Sequence, residues 1–216
     1  MKVRPILLLL LLVGSAAMLG WMYYAVTKPA LRPHTPRNGT ALEELARCGR
    51  RKHVKAVQYE QFARIADEEH RHTVAALFRA MAHSERVQEQ YCAVTIGKLG
   101  GSYTPPQRII LFRGATEGNI DRSIRLEVAA ADSLHQAQIR RHLTRGQRLA
   151  ARALIWAAAN DLRHLHLLEA HRHEEQPTTH HFAVCPHCGH TYASNALDSF
   201  CPHCLTDSKR FVHFTK

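Results

Sequence analysis

Residues 185–204 read CPHCGHTYASNALDSFCPHC, so two Cys-Pro-His-Cys turns are separated by twelve residues. Two Cys-x-x-Cys turns at this separation can place four sulfurs tetrahedrally around one ion, and Pro and Gly favour the tight turns that aim backbone N–H groups at sulfur. Disulfides are the alternative, but the two cysteines of one such turn are poor partners for a structural cross-link. The sequence therefore predicts a metal site with the ligands Cys185, Cys188, Cys201 and Cys204.

The chain that precedes these turns is predicted to be mainly helical. Its hydrophobic fraction of 45% is that of a globular protein, and its 11 Gly and 9 Pro leave long stretches free of helix breakers. Four segments repeat apolar residues at helical spacing. Their predicted bounds are Thr40–Glu69, Arg71–Leu99, a third segment from about Thr116 to Gly146, and a fourth after Gly146.

A strong break separates the second helical segment from the third, because residues 100–106 read GGSYTPP. Two helical pairs joined by one long crossover is the ferritin-like variant of the four-helix bundle. We therefore predict a mainly α protein built on such a bundle.

The N-terminal segment suggests a membrane anchor. Residues 6–26 carry no charge, and 21 residues can just span a hydrocarbon core as a helix. A cleaved signal peptide is the alternative, since residues 14–17 are small, but cleavage there would leave an apolar end in water. The sequence thus predicts a transmembrane helix over 1–27, a proline-containing linker over 28–40, and a single-pass membrane protein whose body is extracytoplasmic.

The formal net charge of +11 favours anionic partners. The basic residues are scattered through helical segments rather than clustered on a surface with interleaved aromatic residues, and the sequence contains no recognisable RNA- or DNA-binding motif. We expect no nucleic-acid partner and expect the basic surface to face solvent or a membrane.

Several polar residues interrupt the apolar stripes of the four helices. A polar or ionisable group that faces a bundle interior is costly unless it is paired or binds a metal. The residues in question are Lys52 in the first helix, Glu85 and Gln88 in the second, Glu127 in the third, and Asp161 and His164 in the fourth.

The order of these parts, and several local pieces, resemble rubrerythrin, a ferritin-like diiron bundle with a rubredoxin-like tail. The matching pieces are Tyr59 with ADEE at 66–69, VAALFRA at 74–80 ahead of Glu85, and AAR at 150–152 ahead of Asp161 and His164. The resemblance runs from about Ala41 to Phe214. It implies a bundle over 41–173 and a rubredoxin-like metal-binding domain over 180–216.

The resemblance also implies a diiron site, yet three ligands of such a site differ in this chain. Lys52 stands where the family has a Glu, Gln88 where it has a His, and Ala130 where it has a Glu. These losses fall on one iron. The ligands that remain for the other are Glu85, Glu127, Asp161 and His164.

Two interpretations of the bundle stay open at this point. In the first, one iron binds these four residues and Lys52 supplies a fixed positive charge. In the second, no metal binds, and Lys52, Gln88, His164 and the acids form a satisfied polar network.

The function implied by the resemblance is that of an iron protein that transfers electrons, with peroxide reduction if the bundle keeps iron. Iron in the tail would make it a one-electron carrier, and the family often assembles as a homodimer. If the chain is an enzyme, it is an oxidoreductase of the peroxidase type. The alternative is a non-enzymatic structural or interaction protein with zinc in the tail and a metal-free bundle.

Overall fold

The computed structural model describes Met18 and residues 38–131, 134–172, 181–193 and 197–215. Within it, Asn38–Lys216 forms one compact unit. The predicted anchor over 1–27 and linker over 28–40 lie outside the described residues, apart from Met18 and residues 38–40.

Five helices form most of the described chain, which confirms the prediction of a mainly helical protein. They are α1 (Gly39–Glu68), α2 (His72–Lys98), α3 (Thr116–Ala131), α4 (Leu134–Thr144) and α5 (Arg148–Arg172). The predicted third helix corresponds to α3 and α4 together. Residues 99–115 contain no helix and form the long crossover that the sequence predicts.

Local hydrogen bonds explain where two of the helices end. After α1, the Arg71 N–H donates to the Ala66 carbonyl at 2.7 Å and the His70 N–H donates to the Asp67 carbonyl at 3.0 Å. His70 has a φ of 58°, the left-handed conformation that closes such a helix end. Gly146 takes the same role after α4 with a φ of 69°, so α5 can begin two residues later.

The helices pack as two pairs around a shared core. α1 packs on α2, α3 and α4 pack on α5, and α2 joins the pairs by packing on α5. Buried apolar side chains form two clusters between the helices, one around Tyr59, Phe62 and Phe78 and the other around Leu45, Ile96 and Leu154. The largest fully buried members of the first cluster are Tyr59, Phe62, Phe78, Phe182, Leu77, Met81, Ile120 and Leu168.

The C-terminal segment forms a small antiparallel sheet of three strands, with β1 (Phe182–Val184) between β2 (Thr191–Ala193) and β3 (Val212–Phe214). Val184 pairs with Thr191 on one side and with Val212 on the other. Phe182 and Val184 are fully buried in the same core as α1 and α2. The tail therefore packs directly on the bundle and shares its hydrophobic core.

The prediction of a single-pass membrane protein with an extracytoplasmic body is corrected. Among the described residues, no helix combines the length and the apolar character that crossing a membrane requires. The physical reason is that α1, α2, α3 and α5 each carry several charged residues, and that α4 has only 11 residues, two of which are arginines.

Candidate metal centres

The four cysteines of the tail lie together, as the sequence predicts. Their sulfurs are all within 4.8 Å of one another. Cys185 Sγ lies 3.5 Å from Cys204 Sγ, and Cys188 Sγ lies 3.6 Å from Cys201 Sγ. A tetrahedral site with metal–sulfur bonds of about 2.3 Å places its sulfurs about 3.8 Å apart. The four thiols therefore fit one tetrahedral metal ion.

Hydrogen-bond donors surround these sulfurs. The Tyr192 hydroxyl lies 3.1 Å from Cys201 Sγ, and the Thr206 hydroxyl lies 3.1 Å from Cys204 Sγ. The contact with Cys188 and the backbone N–H groups of the same turn outweigh burial and lower the pKa of Cys185 to about 4. The same contact, together with burial, raises the pKa of Cys188, so in the absence of a metal the two thiols share one proton. Donors of this kind stabilise thiolates, the form in which cysteine binds metals.

The first Cys-x-x-Cys turn is pressed against α2 at Gly189. This residue has a φ of 77°, and a Cβ added to it would lie 2.9 Å from the Ser84 carbonyl oxygen and 3.0 Å from Gln88 Cγ. Only glycine combines this backbone conformation with so close an approach. The turn that carries Cys185 and Cys188 is thus held on the bundle by direct backbone contact.

Hydrogen bonds fix the same turn on both sides. The Ser84 hydroxyl donates to the Gly189 carbonyl at 2.5 Å, and the Asn160 amide donates to the Cys188 carbonyl at 3.0 Å. His164 Nε2 lies 3.1 Å from Ser84 Oγ and 3.2 Å from Thr191 Oγ1. His164 therefore contacts the tail through one ring nitrogen while the other faces the bundle interior.

The second group of predicted ligands lies in that interior. Glu85, Glu127, Asp161 and His164 are all fully buried, as the sequence predicts. Ligand atoms of Glu85, Glu127 and His164 lie within 4.8 Å of one another, close enough to hold a metal ion on distance alone. Their surroundings decide whether an ion has room there.

Two lysine ammonium groups from α1 lie among these carboxylates. Lys52 Nζ is 2.5 Å from Asp161 Oδ1 and 3.1 Å from Glu85 Oε2. Lys55 Nζ is 2.7 Å from Glu85 Oε1, 2.6 Å from Glu127 Oε2 and 2.9 Å from Asp161 Oδ1. Each carboxylate is thus paired with at least one ammonium group of the chain itself. We call Lys52, Lys55, Glu85, Glu127 and Asp161 the buried charge cluster.

Four members of the cluster have the pKa shifts that ionised pairs produce. Burial alone would raise the pKa of Glu85, but the two lysines outweigh it and lower that pKa to about 2. The same balance lowers the pKa of Asp161. Burial alone would lower the pKa of Lys52 and of Lys55, but the carboxylates around them raise both above 10.5. All four groups are therefore charged at neutral pH.

Tyr59 and His164 complete the contacts of the cluster. The Tyr59 hydroxyl donates to Glu127 Oε1 at 2.5 Å, and burial together with the Glu127 charge raises the Tyr59 pKa well above 10. His164 Nδ1 lies 3.2 Å from Glu85 Oε1 and 3.5 Å from Glu127 Oε1. Burial alone would lower the pKa of His164, but these two carboxylates outweigh it and raise the pKa above 6.5.

The bundle residues do not fit a metal ion. Lys55 Nζ makes short contacts with Glu85 Oε1 and Glu127 Oε2, two of the oxygens that would have to coordinate the ion. An ion bound to the same oxygens would lie against a buried ammonium group, and like charges repel strongly at low dielectric. The four thiols of the tail meet no such obstacle.

Sequence reasoning identified Lys52 but missed Lys55 and Arg51. Arg51 lies 3.7 Å from Asp161 Oδ2 and is the third cation of α1 near that carboxylate. The signal for Lys55 was its spacing, since Lys52, Lys55 and Tyr59 lie three and four residues apart on one helix face. Gln88 is also corrected, because it is buried but its side-chain amide makes no hydrogen bond within the described part of the chain.

Comparisons with known proteins bear on the fold. No protein-family model matches the chain, and no curated protein matches it. Solved structures of nigerythrin, a rubrerythrin, are similar to it at 20% sequence identity over 81% of this chain and 86% of that chain. The TM-score is 0.74 for the fully reduced, all-ferrous state, 0.73 for a mixed-valence state and 0.74 for a partially reduced state. The resemblance to rubrerythrin is thus confirmed at the level of the fold.

Proposed function

We propose that this chain is a rubrerythrin-fold protein with one metal centre, an iron ion held by the four tail thiolates, and that it acts as a one-electron carrier. Its bundle is a metal-free scaffold. The observation that carries the proposal is the contrast between the two ligand groups: four mutually close thiols in the tail, and carboxylates already paired with Lys52 and Lys55 in the bundle.

The tail supports the first half of the proposal. Cys185, Cys188, Cys201 and Cys204 would hold the ion, which alternates between ferric and ferrous states when bound to four thiolates. Backbone N–H groups and the Tyr192 hydroxyl approach the sulfurs, and such donors adjust the reduction potential. Nigerythrin has been characterised in a fully reduced, all-ferrous state and in a mixed-valence state, which makes iron the metal to test first.

The bundle supports the second half. A two-iron centre of the rubrerythrin kind would need carboxylates free to coordinate, and Glu85, Glu127 and Asp161 are ion-paired within the chain. Peroxide reduction at a diiron centre is therefore not part of the proposed activity. The bundle instead positions the tail, because Ser84 and Asn160 donate to backbone carbonyls of the first cysteine turn.

Structural zinc in the tail is the second candidate, and one observation favours it. Leu205, which follows the second cysteine turn, has a φ of 59° and is 78% exposed. Glycine adopts this conformation without cost, so Leu205 weakens the match to a rubredoxin-like turn. Zinc would leave the tail without a redox role.

The test is a redox titration of the full chain purified after growth with iron. We expect a ferric-thiolate visible absorption that is bleached by dithionite and returns on reoxidation, with one iron per chain. The double variant Cys201→Ala, Cys204→Ala should lose this absorption, and the matched double variant Cys48→Ala, Cys92→Ala should keep it. Colourless protein that holds zinc after iron-rich growth would overturn the electron-carrier proposal.

A control measurement separates this proposal from a peroxidase. The control protein is a small rubredoxin, which holds one iron in four thiolates and has no bundle. If the bundle of this chain holds no iron, the wild-type protein should consume peroxide no faster than an equal concentration of that rubredoxin. Rapid turnover of peroxide that survives the tail substitutions would contradict the metal-free bundle.

A further inference from the structure

A cavity of about 420 Å³ lies beside the buried charge cluster, between α1, the crossover and α3. Lys55 and Tyr59, at its floor, connect it to that cluster. Small-molecule sites are commonly clefts of about 300–1,000 Å³ with a largely apolar lining and few polar groups. Neither the tail metal nor the proposed electron transfer uses this cavity.

The charged side chains that line the cavity are all cations. They are Arg50, Arg51, Lys55 and Arg122, and none of the described residues that line it is acidic. Lys55 and Arg51 are near carboxylates of the cluster, so Arg50 and Arg122 contribute most to the positive charge at the mouth. The Arg122 guanidinium lies 4.0 Å from the Phe112 ring centroid, and this stacking orients its planar group.

Apolar side chains line the same cavity beside these cations. Val54 is 39% exposed, Leu126 is 40% exposed and Ile110 is 99% exposed, and all three line the cavity. Exposed apolar residues that converge on one concave site, next to charges of one sign, suit a ligand that is apolar at one end and anionic at the other.

We propose that this cavity binds an organic anion, a carboxylate carried on a short apolar body. The carboxylate is held by the guanidinium groups of Arg50 and Arg122, which can donate two parallel hydrogen bonds to it. The apolar body lies along Leu126 and Val54 and is thereby removed from water. The cationic lining disfavours amines, and the apolar lining contributes nothing to the binding of a bare inorganic anion.

Calorimetric titration of the full chain with octanoate tests the proposal. We expect octanoate to bind more tightly than octanamide, which lacks the charge, and more tightly than inorganic phosphate, which lacks the apolar body. The double variant Arg50→Gln, Arg122→Gln should lose at least about tenfold in octanoate affinity, as expected for charge-assisted hydrogen bonds. The matched control Arg47→Gln, Arg125→Gln removes the same charge from the same two helices outside the cavity and should change affinity by less than about twofold.

The Arg122→Gln substitution also removes the Arg122–Phe112 stacking and could unfold the crossover. A second pair of variants therefore tests the cavity while leaving this contact intact. Leu126→Asp places a negative charge at an exposed position inside the cavity, and Val128→Asp places it at an exposed position of the same helix outside it. Only Leu126→Asp should weaken octanoate binding. Absence of measurable octanoate binding, equal affinity for octanamide, or equal losses in the cavity variants and their controls would each overturn the proposal.

Discussion

The bundle interior and the tail each gather a buried group of residues that bind metals in other proteins, but they meet the charge of those residues differently. In the bundle, three carboxylates face two ammonium groups and an imidazole whose pKa is raised, so the chain balances its own charge. In the tail, four thiols converge on one point, and the donors that reach them are hydroxyl and backbone N–H groups.

A set of ligand residues therefore does not by itself define a metal site. Carboxylates that converge in a low-dielectric interior need positive charge, and either a metal ion or a cationic side chain can supply it. Lys52 and Lys55 supply it in the bundle. Four thiolates in the tail would carry a charge of −4, which a metal ion partly neutralises.

The largest effect is expected from removing one of the two lysines. Lys55→Ala leaves Glu127 with no ammonium partner within the described residues and removes one of the charges that offset Glu85 and Asp161. Breaking a buried ion pair in this way costs about 3–5 kcal/mol. Urea unfolding followed by circular dichroism measures the loss, and exposed Lys98→Ala, with less than about 0.5 kcal/mol expected, is the control.

The same variant should allow the bundle to bind a metal ion. Removal of the Lys55 ammonium group frees Glu85 Oε1 and Glu127 Oε2, while Lys52 stays on Glu85 Oε2. Glu85, Glu127 and His164 can then accept a divalent ion such as Mn²⁺, which prefers oxygen ligands. Added Mn²⁺ should raise the melting temperature of Lys55→Ala and leave that of the wild type unchanged. A similar Mn²⁺ effect on both proteins would mean that the lysines do not exclude metal.

The second effect is a loss of stability in acid. The folded-state pKa of Glu85 is about 2, below the ordinary value of 4.5. Its contribution is therefore present above pH about 4.5 and is lost as the pH falls through 2, with a size of up to roughly 3 kcal/mol. Glu85→Gln should flatten the fall in unfolding free energy between pH 4.5 and 2. Glu117→Gln, at an exposed salt bridge, should keep the wild-type slope, and equal slopes in all three proteins would contradict the ionised cluster.

A smaller effect is expected where the tail meets the bundle. Gly189→Ala introduces a Cβ 2.9 Å from the Ser84 carbonyl oxygen at a φ of 77°, and such strain costs about 1–3 kcal/mol. Gly118→Ala, on α3 with open space at its Cβ, should stabilise the protein slightly. Thermal unfolding compares the two, and a Gly189→Ala variant as stable as wild type would mean that the tail does not rest on α2.

The helices and the tail site were accessible from sequence because their signals are local. Helical spacing and the breaks that flank it give the bounds of α1 and α2 to within one residue. The division of the predicted third helix into α3 and α4 was not predicted, because the helical pattern continues through both. The Cys-x-x-Cys spacing defines the tail ligands without reference to the rest of the chain. Glu85, Glu127, Asp161 and His164 were found because they interrupt apolar stripes.

The full membership of the buried charge cluster could not be predicted from the sequence, because it depends on contacts between helices. Lysine is nearly always solvent-exposed, so Lys55 at the edge of a stripe reads as a surface residue until α3 and α5 place Glu127 and Asp161 around it. Gln88 interrupts an apolar stripe, so the sequence suggests that its polar side chain belongs to a network in the bundle. Its neighbours in space include Gly189 of the tail, a contact that helical spacing cannot reveal.

The most direct test of the central claim is the metal content of two proteins after reconstitution with excess ferrous iron under reducing conditions and removal of loosely bound metal. We expect one metal ion per chain for the wild type and none for a variant in which Cys185, Cys188, Cys201 and Cys204 are all replaced by alanine. Retention of one or two ions per chain by the alanine variant would place metal outside the tail site and contradict the metal-free bundle.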